Sequence, residues 1–535
     1  MVLLPQTARP SQAAERIIFS VGAFERSVSV ASIETFVEEG RITAELAPFV
    51  AQVEPSTLSQ ARELLSQRLD VDVTTVAQVL YSPQGDFLLG RAGEVFRTGA
   101  RLSGKQGLSG AAILSAADSA EGLTIINVIR RFPTPVLRID LKQGEAIASQ
   151  ASRAFEQSRL ATSLVEELAF QNAIAPFPEG VSAADLDNLV TGPGPFQVKR
   201  ITLKPRIVGP PVDVYLPEPL PGSARQQSAK YPAVVISHGV GSSRLSYAYL
   251  AQFLAQYGFA VINLEHPGSN EDQIGNFIDG LTGSAIPTEE FVNRPQLVST
   301  VLRELEARSL INQNFSHIDF NNVGIIGQSF GGYTALAVAG APVNLKSLRS
   351  ACPPSFSVDI SLLLQCQAVA LGGADQDSLE FKDPRIKAVF AINPVSDAIF
   401  GPDSLSKIDV PTFVVAGSAD TVAPALPEQI IPFTWLTTRD RYLLLMEGAT
   451  HFSTIGSTGG ETFGLPPEVI GPVPDVAQAY MESMSLAFLS FYLKGDSRFQ
   501  PVLTSAFTTR FSQPEMPLSL SLEFTDEQLR EQLRK

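Results

Sequence analysis

The sequence predicts a doubly wound α/β fold preceded by a mainly helical segment, and three observations carry that expectation. Short continuous apolar runs recur at residues 233–236, 259–264, 323–326, 388–392, 412–416 and 442–446. Runs of this length read as strands buried on both faces. Helical stretches separate them, for example 247–257 and 296–305, and strand–helix alternation implies a mostly parallel sheet. Finally, residues 190–197 read VTGPGPFQ, a Gly/Pro-rich break after which the pattern changes. With the alternating stretches 196–203 and 212–216, the expected sheet has eight strands.

The elements ahead of the break read differently. Residues 16–19 and 27–30 suit a pair of short strands. Thr35 and Glu38 have the spacing of a capping box. Helices are expected over 57–65 and 155–172. No fixed period recurs, which excludes a solenoid. The resulting division is a helical accessory domain over 1–190, an α/β domain over 196–495 and a C-terminal tail over 496–535. The α/β domain carries a long interruption at about 340–385, rich in Leu, Ser and Pro. Connections in such folds run a few residues, so an insertion this long suits either a lid or simple packing.

Composition narrows the function classes. Apolar residues make 44% of the chain and charged residues 18%, enough for large cores and unlike a disordered chain. There are 40 Lys+Arg against 55 Asp+Glu, a net charge of −15. Basic residues never run beyond a pair, as in Arg130-Arg131 and Lys199-Arg200, so nucleic acid is not the expected partner. No apolar stretch is long enough for a transmembrane helix. The start, MVLLPQTARPSQAAERIIF, lacks the charged and apolar regions of a signal peptide. Two cysteines and four histidines, without an H-E-x-x-H, make a zinc site or disulfide scaffold a poor fit. No metal or organic cofactor is implied.

The chemistry concentrates after the break. Gly327-Gln328-Ser329-Phe330-Gly331 matches G-x-S-x-G and lies between an apolar run and a helix start. That is the context of a nucleophile elbow, where Gly327 and Gly331 must be small so that strand and helix can approach. A serine hydroxyl needs a neighbouring base. Of His238, His266, His317 and His451, only His451 follows the nucleophile at the end of a strand. His317 precedes the nucleophile's own strand, and His238 reads as a brace for its loop. Asp420, after the run 412–416, is the expected orienter of His451, with Asp397 as the alternative. The order Ser329, Asp420, His451 is the one such hydrolytic sheets use. Backbone N–H groups of Val240, in Ser237-His238-Gly239-Val240-Gly241, and of Phe330 are the expected oxyanion donors. Phe433 and Trp435 line a pocket or, as the better reading, belong to the core.

At these residues the chain resembles the α/β-hydrolases of the dienelactone hydrolase and platelet-activating-factor acetylhydrolase kind. The carriers are SHGVGSSRLSYAYLAQFLAQYGFAVINLEHPGSN (237–270), VGIIGQSFGGYTAL (323–336), VPTFVVAGSADTVAP (410–424) and YLLLMEGATHFS (442–453). Residues 13–141 resemble the uncharacterised helical domain attached to such hydrolases in cyanobacteria, through AAERIIFSVGAFERSVSVASIETFVEEG and EGLTIINVIRRFPTPVLRIDL. The resemblance implies an α/β-hydrolase fold and ester chemistry. Two departures matter. Dienelactone hydrolases use cysteine where Ser329 stands, and the acetylhydrolase acid follows the sixth strand, where this chain has Asn393-Pro394. Members of the group are often exported.

Cys352 and Cys366 lie in the 340–385 insertion and form either a disulfide or two buried thiols. A bridge would fit an oxidising compartment, and with the resemblance this favours an exported or periplasmic protein over a cytoplasmic one. The expected activity is a serine hydrolase for carboxylic esters of short or medium acyl length, lipid-derived ones included. Its partner is then a small-molecule ester; oligomeric state is not legible. The competing readings are an acyltransferase with the same residues and a catalytically silent binding scaffold.

Overall fold

The computed structural model describes residues 13–174, 181–204, 209–220, 230–352, 359–373, 376–456 and 467–535. It divides into two compact units: Met1–Ser152 with Gly275–Ala285, and Arg153–Ile274 with Ile286–Lys535. The boundary falls inside the helix Leu141–Asn172, well before the Gly/Pro-rich break at 190–197. That break connects two elements of the same unit.

Among the described residues the main sheet of the second unit has nine strands: β1 (Phe196–Leu203), β2 (Val212–Pro219), β3 (Tyr231–Ser237), β4 (Ala260–Asn263), β5 (Ile318–Gln328), β6 (Ile386–Ile392), β7 (Thr412–Gly417), β8 (Arg441–Met446) and β9 (Leu518–Ser521). Their spatial order is β9-β8-β7-β6-β5-β3-β4-β2-β1. Pairs from β4 to β8 run parallel, while β1–β2, β2–β4 and β8–β9 are antiparallel. The sequence count of eight is one strand short. Leu518-Ser519-Leu520-Ser521 alternates too briefly to announce itself, yet it completes the edge beside β8 and buries Leu518 and Leu520. The segment 496–535 is therefore part of the fold rather than a tail; Phe524 and Leu529 also reach the core.

The apolar runs are continuous because each strand serves two cores. Val235, Ile325, Val389 and Val414 face one, beneath the helices Glu290–Ser309, Phe330–Ala339 and Asp397–Leu405. Val234, Ile326, Phe390 and Phe413 face the other, beneath Ala248–Gln256 and Pro474–Lys494. Side chains alternate across a strand, so a sheet covered on both faces needs apolar residues at every position. At roughly 25 cal/mol per Å² of apolar surface removed from water, this burial is the main stabilising term.

In the first unit, the strands Phe24–Ser29, Arg16–Val21, Val136–Asp140 and Phe96–Thr98 form a four-stranded sheet in that order. Helices surround this sheet, and the two together hold the core of Ile17, Val28, Phe36, Phe132 and Leu137. The expected capping box is absent. Ser29 caps the helix Val30–Glu39, and Thr35 lies within it, donating to the Ala31 carbonyl. Among the described residues no helix is long and apolar enough to cross a membrane.

Candidate active site

Ser329 stands between β5 and the helix Phe330–Ala339 with φ 57° and ψ −119°. A non-glycine residue there is strained, and the surroundings hold it. Its N–H donates to the Ile392 carbonyl (2.9 Å), and its own carbonyl accepts from the Tyr333 N–H (3.1 Å). Flanking glycines are a packing requirement. A Cβ on Gly327 would lie 2.0 Å from the Gly331 carbonyl oxygen, and one on Gly331 2.0 Å from that of Ser237.

His451 follows β8. Its Nε2 lies 2.8 Å from Ser329 Oγ and its Nδ1 2.7 Å from Asp420 Oδ2. All three residues are buried. Asp420 follows β7, and the β7 and β8 loops are stitched together: Ala419 N–H donates to the Ala449 carbonyl (3.0 Å), and Gly448 N–H to Ser418 Oγ (2.8 Å). Asp420 Oδ1 accepts from the N–H groups of Val422 and Ala423, both at 2.8 Å. Oδ2 accepts from Asn393 Nδ2 at 2.7 Å as well as facing the histidine. The carboxylate is thus oriented by backbone, amide and imidazole together.

The loop after β3 approaches the serine closely. A Cβ on Gly239 would lie 3.1 Å from Ser329 Cβ and 2.2 Å from Gln328 Oε1. Arg294, fully buried in the helix Glu290–Ser309, grips this loop from behind. It donates to the carbonyls of His238 (2.6 Å) and Gly239 (3.4 Å) and to Ser269 Oγ (2.9 Å), with Glu290 3.6 Å away. Its guanidinium carbon lies 4.7 Å from the centroid of the Phe330 ring. Burial pulls the guanidinium down to about 10, still protonated at neutral pH. The carbonyl of Gly239 and the N–H of Val240 belong to one trans peptide and point in opposite directions. A cation on the carbonyl side therefore aims and polarises the Val240 N–H. No hydrogen bond among the described residues uses the N–H of Val240 or Phe330.

His238 and His266 support the loop. His266 backbone N–H donates to His238 Nε2 (3.0 Å), which leaves His238 Nδ1 as the donor toward the Gly239 carbonyl (2.7 Å). Burial pushes the His238 imidazole below the usual histidine range, consistent with that neutral form. His266 Nε2 meets Ser237 Oγ at 2.9 Å, and burial lowers it further. The His317 carbonyl accepts from Tyr231 N–H (2.7 Å), away from the strand ends that carry Ser329 and His451.

The remaining expected residues separate from this cluster. Asp397 is drawn into a buried acidic group instead: its backbone N–H donates to Glu428 Oε2 (3.1 Å). Phe433 is core, stacked on Phe524 at 5.3 Å, and Trp435 packs beside it. Cys352 and Cys366 are bonded, with Cα atoms 5.5 Å apart. Their insertion contributes Leu345, Leu348 and Leu364 to the core and donates from Ser361 N–H to the Val422 carbonyl (3.0 Å), beside the Asp420 turn. Residues 353–358 and 374–375 of the insertion lie outside the described set. Sequence reasoning missed Arg294 and the contacts made by Asn393 and by Gln328, whose Nε2 donates to the His451 carbonyl (3.2 Å). The one available signal was an asparagine at the end of an apolar run, Asn393 after 388–392; the polar neighbours of Arg294 gave none. Among the described residues no group of three or more His, Cys, Asp or Glu could hold a metal ion.

Two family models match the chain. One, described as an alpha/beta hydrolase of unknown function (DUF1400), matches residues 13–140. The other, platelet-activating factor acetylhydrolase, isoform II, matches residues 215–274, which include the Val240 loop. The mostly parallel sheet and these matches support the α/β-hydrolase group. Among curated proteins, the platelet-activating factor acetylhydrolase of Cavia porcellus is 22% identical over 302 residues, 50% of this chain and 59% of that protein. The chain thus spans less than two thirds of that relative's length. The likeness supports a hydrolase.

Proposed function

We propose that the chain is a serine hydrolase that cleaves carboxylic esters of short to medium acyl chains, lipid-derived ones included. The observation that carries the reading is the continuous relay from Ser329 Oγ through His451 to Asp420, at 2.8 and 2.7 Å, with the Gly239–Val240 peptide packed against the serine.

In this reading His451 Nε2 takes the hydroxyl proton as Ser329 Oγ bonds to the ester carbonyl carbon. Asp420 holds the imidazole in orientation and stabilises its cation. The negative charge on the former carbonyl oxygen falls to the N–H groups of Val240 and Phe330, each such donor being worth ~2.7–4 kcal/mol of barrier. Phe330 N–H also opens a helix, whose positive end favours the same charge. The alkoxide leaves with the proton from His451, giving an acyl-serine and an alcohol. Water, deprotonated by His451, then attacks the acyl carbon, and Ser329 recovers its proton as the acid departs.

The test is hydrolysis of p-nitrophenyl acetate, butyrate, octanoate and palmitate at about pH 8 by the wild type and Ser329→Ala. The proposal expects turnover by the wild type and a loss of at least about three orders of magnitude in the variant. The chain-length profile then sizes the acyl site. Equal, negligible rates on every ester would sink it.

A further inference from the structure

The first unit contains a cavity of about 470 Å³, within the range of small-molecule sites. Its walls come from the helices Pro55–Ser66, Lys105–Ala116 and Ile125–Arg130 and from the strands Phe96–Thr98 and Val136–Asp140. Leu108, Val128, Ile129 and Phe132 line its body. Leu64, Leu69 and Ile125 also line it and are 57%, 55% and 43% exposed, so the cavity opens through an apolar rim. Among the described residues no charged side chain lines it, and the polar contributors are Gln67 and Thr124. The Thr124 hydroxyl already accepts from Asn127 N–H at 3.1 Å.

We infer that this cavity binds one hydrocarbon tail of a lipid, independently of the ester-hydrolysis reading. Its size is the first argument. It is about three times the ~150 Å³ apolar void known to stay dry and take up benzene. At about 30 Å³ per water-sized group it holds on the order of fifteen methylenes. Lining atoms facing an empty space lose dispersion contacts outright, so an apolar guest restores what the fold leaves unmade. Its walls are the second argument, and they choose the guest. A peptide segment would bring N–H and C=O groups that need partners, and these walls have almost none to give. A hydrocarbon tail brings no such groups, and its polar head remains at the open rim.

The full chain is titrated with a fluorescent polyene fatty acid, with palmitate and butyrate as competitors. One probe per chain, displaced by palmitate but not by butyrate, is the expected result. Val128→Trp fills the body of the cavity, and Ile125→Glu places a charge on its exposed rim. Each variant is expected to bind the probe at least about tenfold more weakly while keeping its melting profile and its rate on p-nitrophenyl butyrate. Ile125→Glu decides the matter if Val128→Trp fails to fold. Undiminished probe binding in the folded variants, or no saturable binding by the wild type, overturns the inference. So does a wild-type dimer that Ile125→Glu dissociates, which would make a second copy the occupant.

Discussion

The side-chain amide of Asn393 donates to Asp420 Oδ2 at 2.7 Å, and that same oxygen faces Nδ1 of His451. Asn393 follows β6, where the acid of the acetylhydrolases is expected. It keeps the position and supplies a donor in place of a charge. Its φ of 43° is left-handed, a conformation asparagine tolerates better than most residues.

Asn393→Gly keeps that backbone accessible and removes the donor. A hydrogen bond to a charged group contributes about 1.5–3 kcal/mol, so kcat is expected to fall roughly ten- to hundredfold with KM little changed. Steady-state kinetics on p-nitrophenyl butyrate checks this; a change under about twofold would remove Asn393 from the positioning of Asp420.

The two aspartates should part company in the same assay. Asp420→Asn leaves the shape intact but gives His451 the wrong partner, and a loss on the order of 10⁴-fold in kcat is expected. Asp397→Asn should keep wild-type kcat. The reverse pattern would transfer the acid role to Asp397.

Arg294 is expected to act through the loop it grips. Arg294→Met leaves the His238 and Gly239 carbonyls without their cation, and kcat per active site should fall about 10²–10³-fold, the size of a lost oxyanion donor. Arg294→Lys should recover part of that loss, since it restores the charge but not the fork. Active sites are counted by fluorophosphonate labelling, so misfolded protein does not enter the rate. Unchanged kcat per labelled site in Arg294→Met would leave the arginine a purely structural role.

The Asp397 carboxyl is pushed up to about 7 by burial, with the Glu428 charge adding to it. An unfolded aspartate titrates near 3.9, so the folded state binds this proton more tightly. The resulting stability is complete below about pH 4 and is lost as pH rises through about 7. Burial raises Glu482 to about 7 with the same sign, so the informative quantity is the difference between proteins. Asp397→Asn should raise the melting temperature relative to wild type more at pH 8 than at pH 5. An equal shift at both pH values would contradict the assignment.

Breaking the Cys352–Cys366 bond frees a short loop, worth about 3 kcal/mol on the chain-entropy view. Cys352→Ser/Cys366→Ser, or treatment with reductant, should lower the melting temperature by a few degrees. Esterase activity should fall at most severalfold, because the insertion meets the Asp420 turn through a backbone hydrogen bond from Ser361 to Val422, not through Asp420 itself. Identical melting of reduced and oxidised protein would argue that the bond does not form in solution.

What the sequence determined by itself is what local chemistry dictates. Strands buried on both faces require unbroken apolar runs, so β3 to β8 were legible. A tight strand–turn–helix requires glycines at 327 and 331, so the elbow was legible around Ser329. Chain order then put forward His451 as the base, and Asp420 or Asp397 as its partner. Tertiary structure decided the rest. β9 became a strand only because β8 offered an unpaired edge, and four residues carry too little pattern to say so beforehand. The boundary at 152/153 follows contacts between distant segments, while the Gly/Pro-rich stretch at 190–197 marks only a turn within one unit. Arg294 and Asn393 take their meaning from partners 56 and 27 residues away. The apolar cavity of the first unit is likewise a property of five packed elements rather than of any one of them.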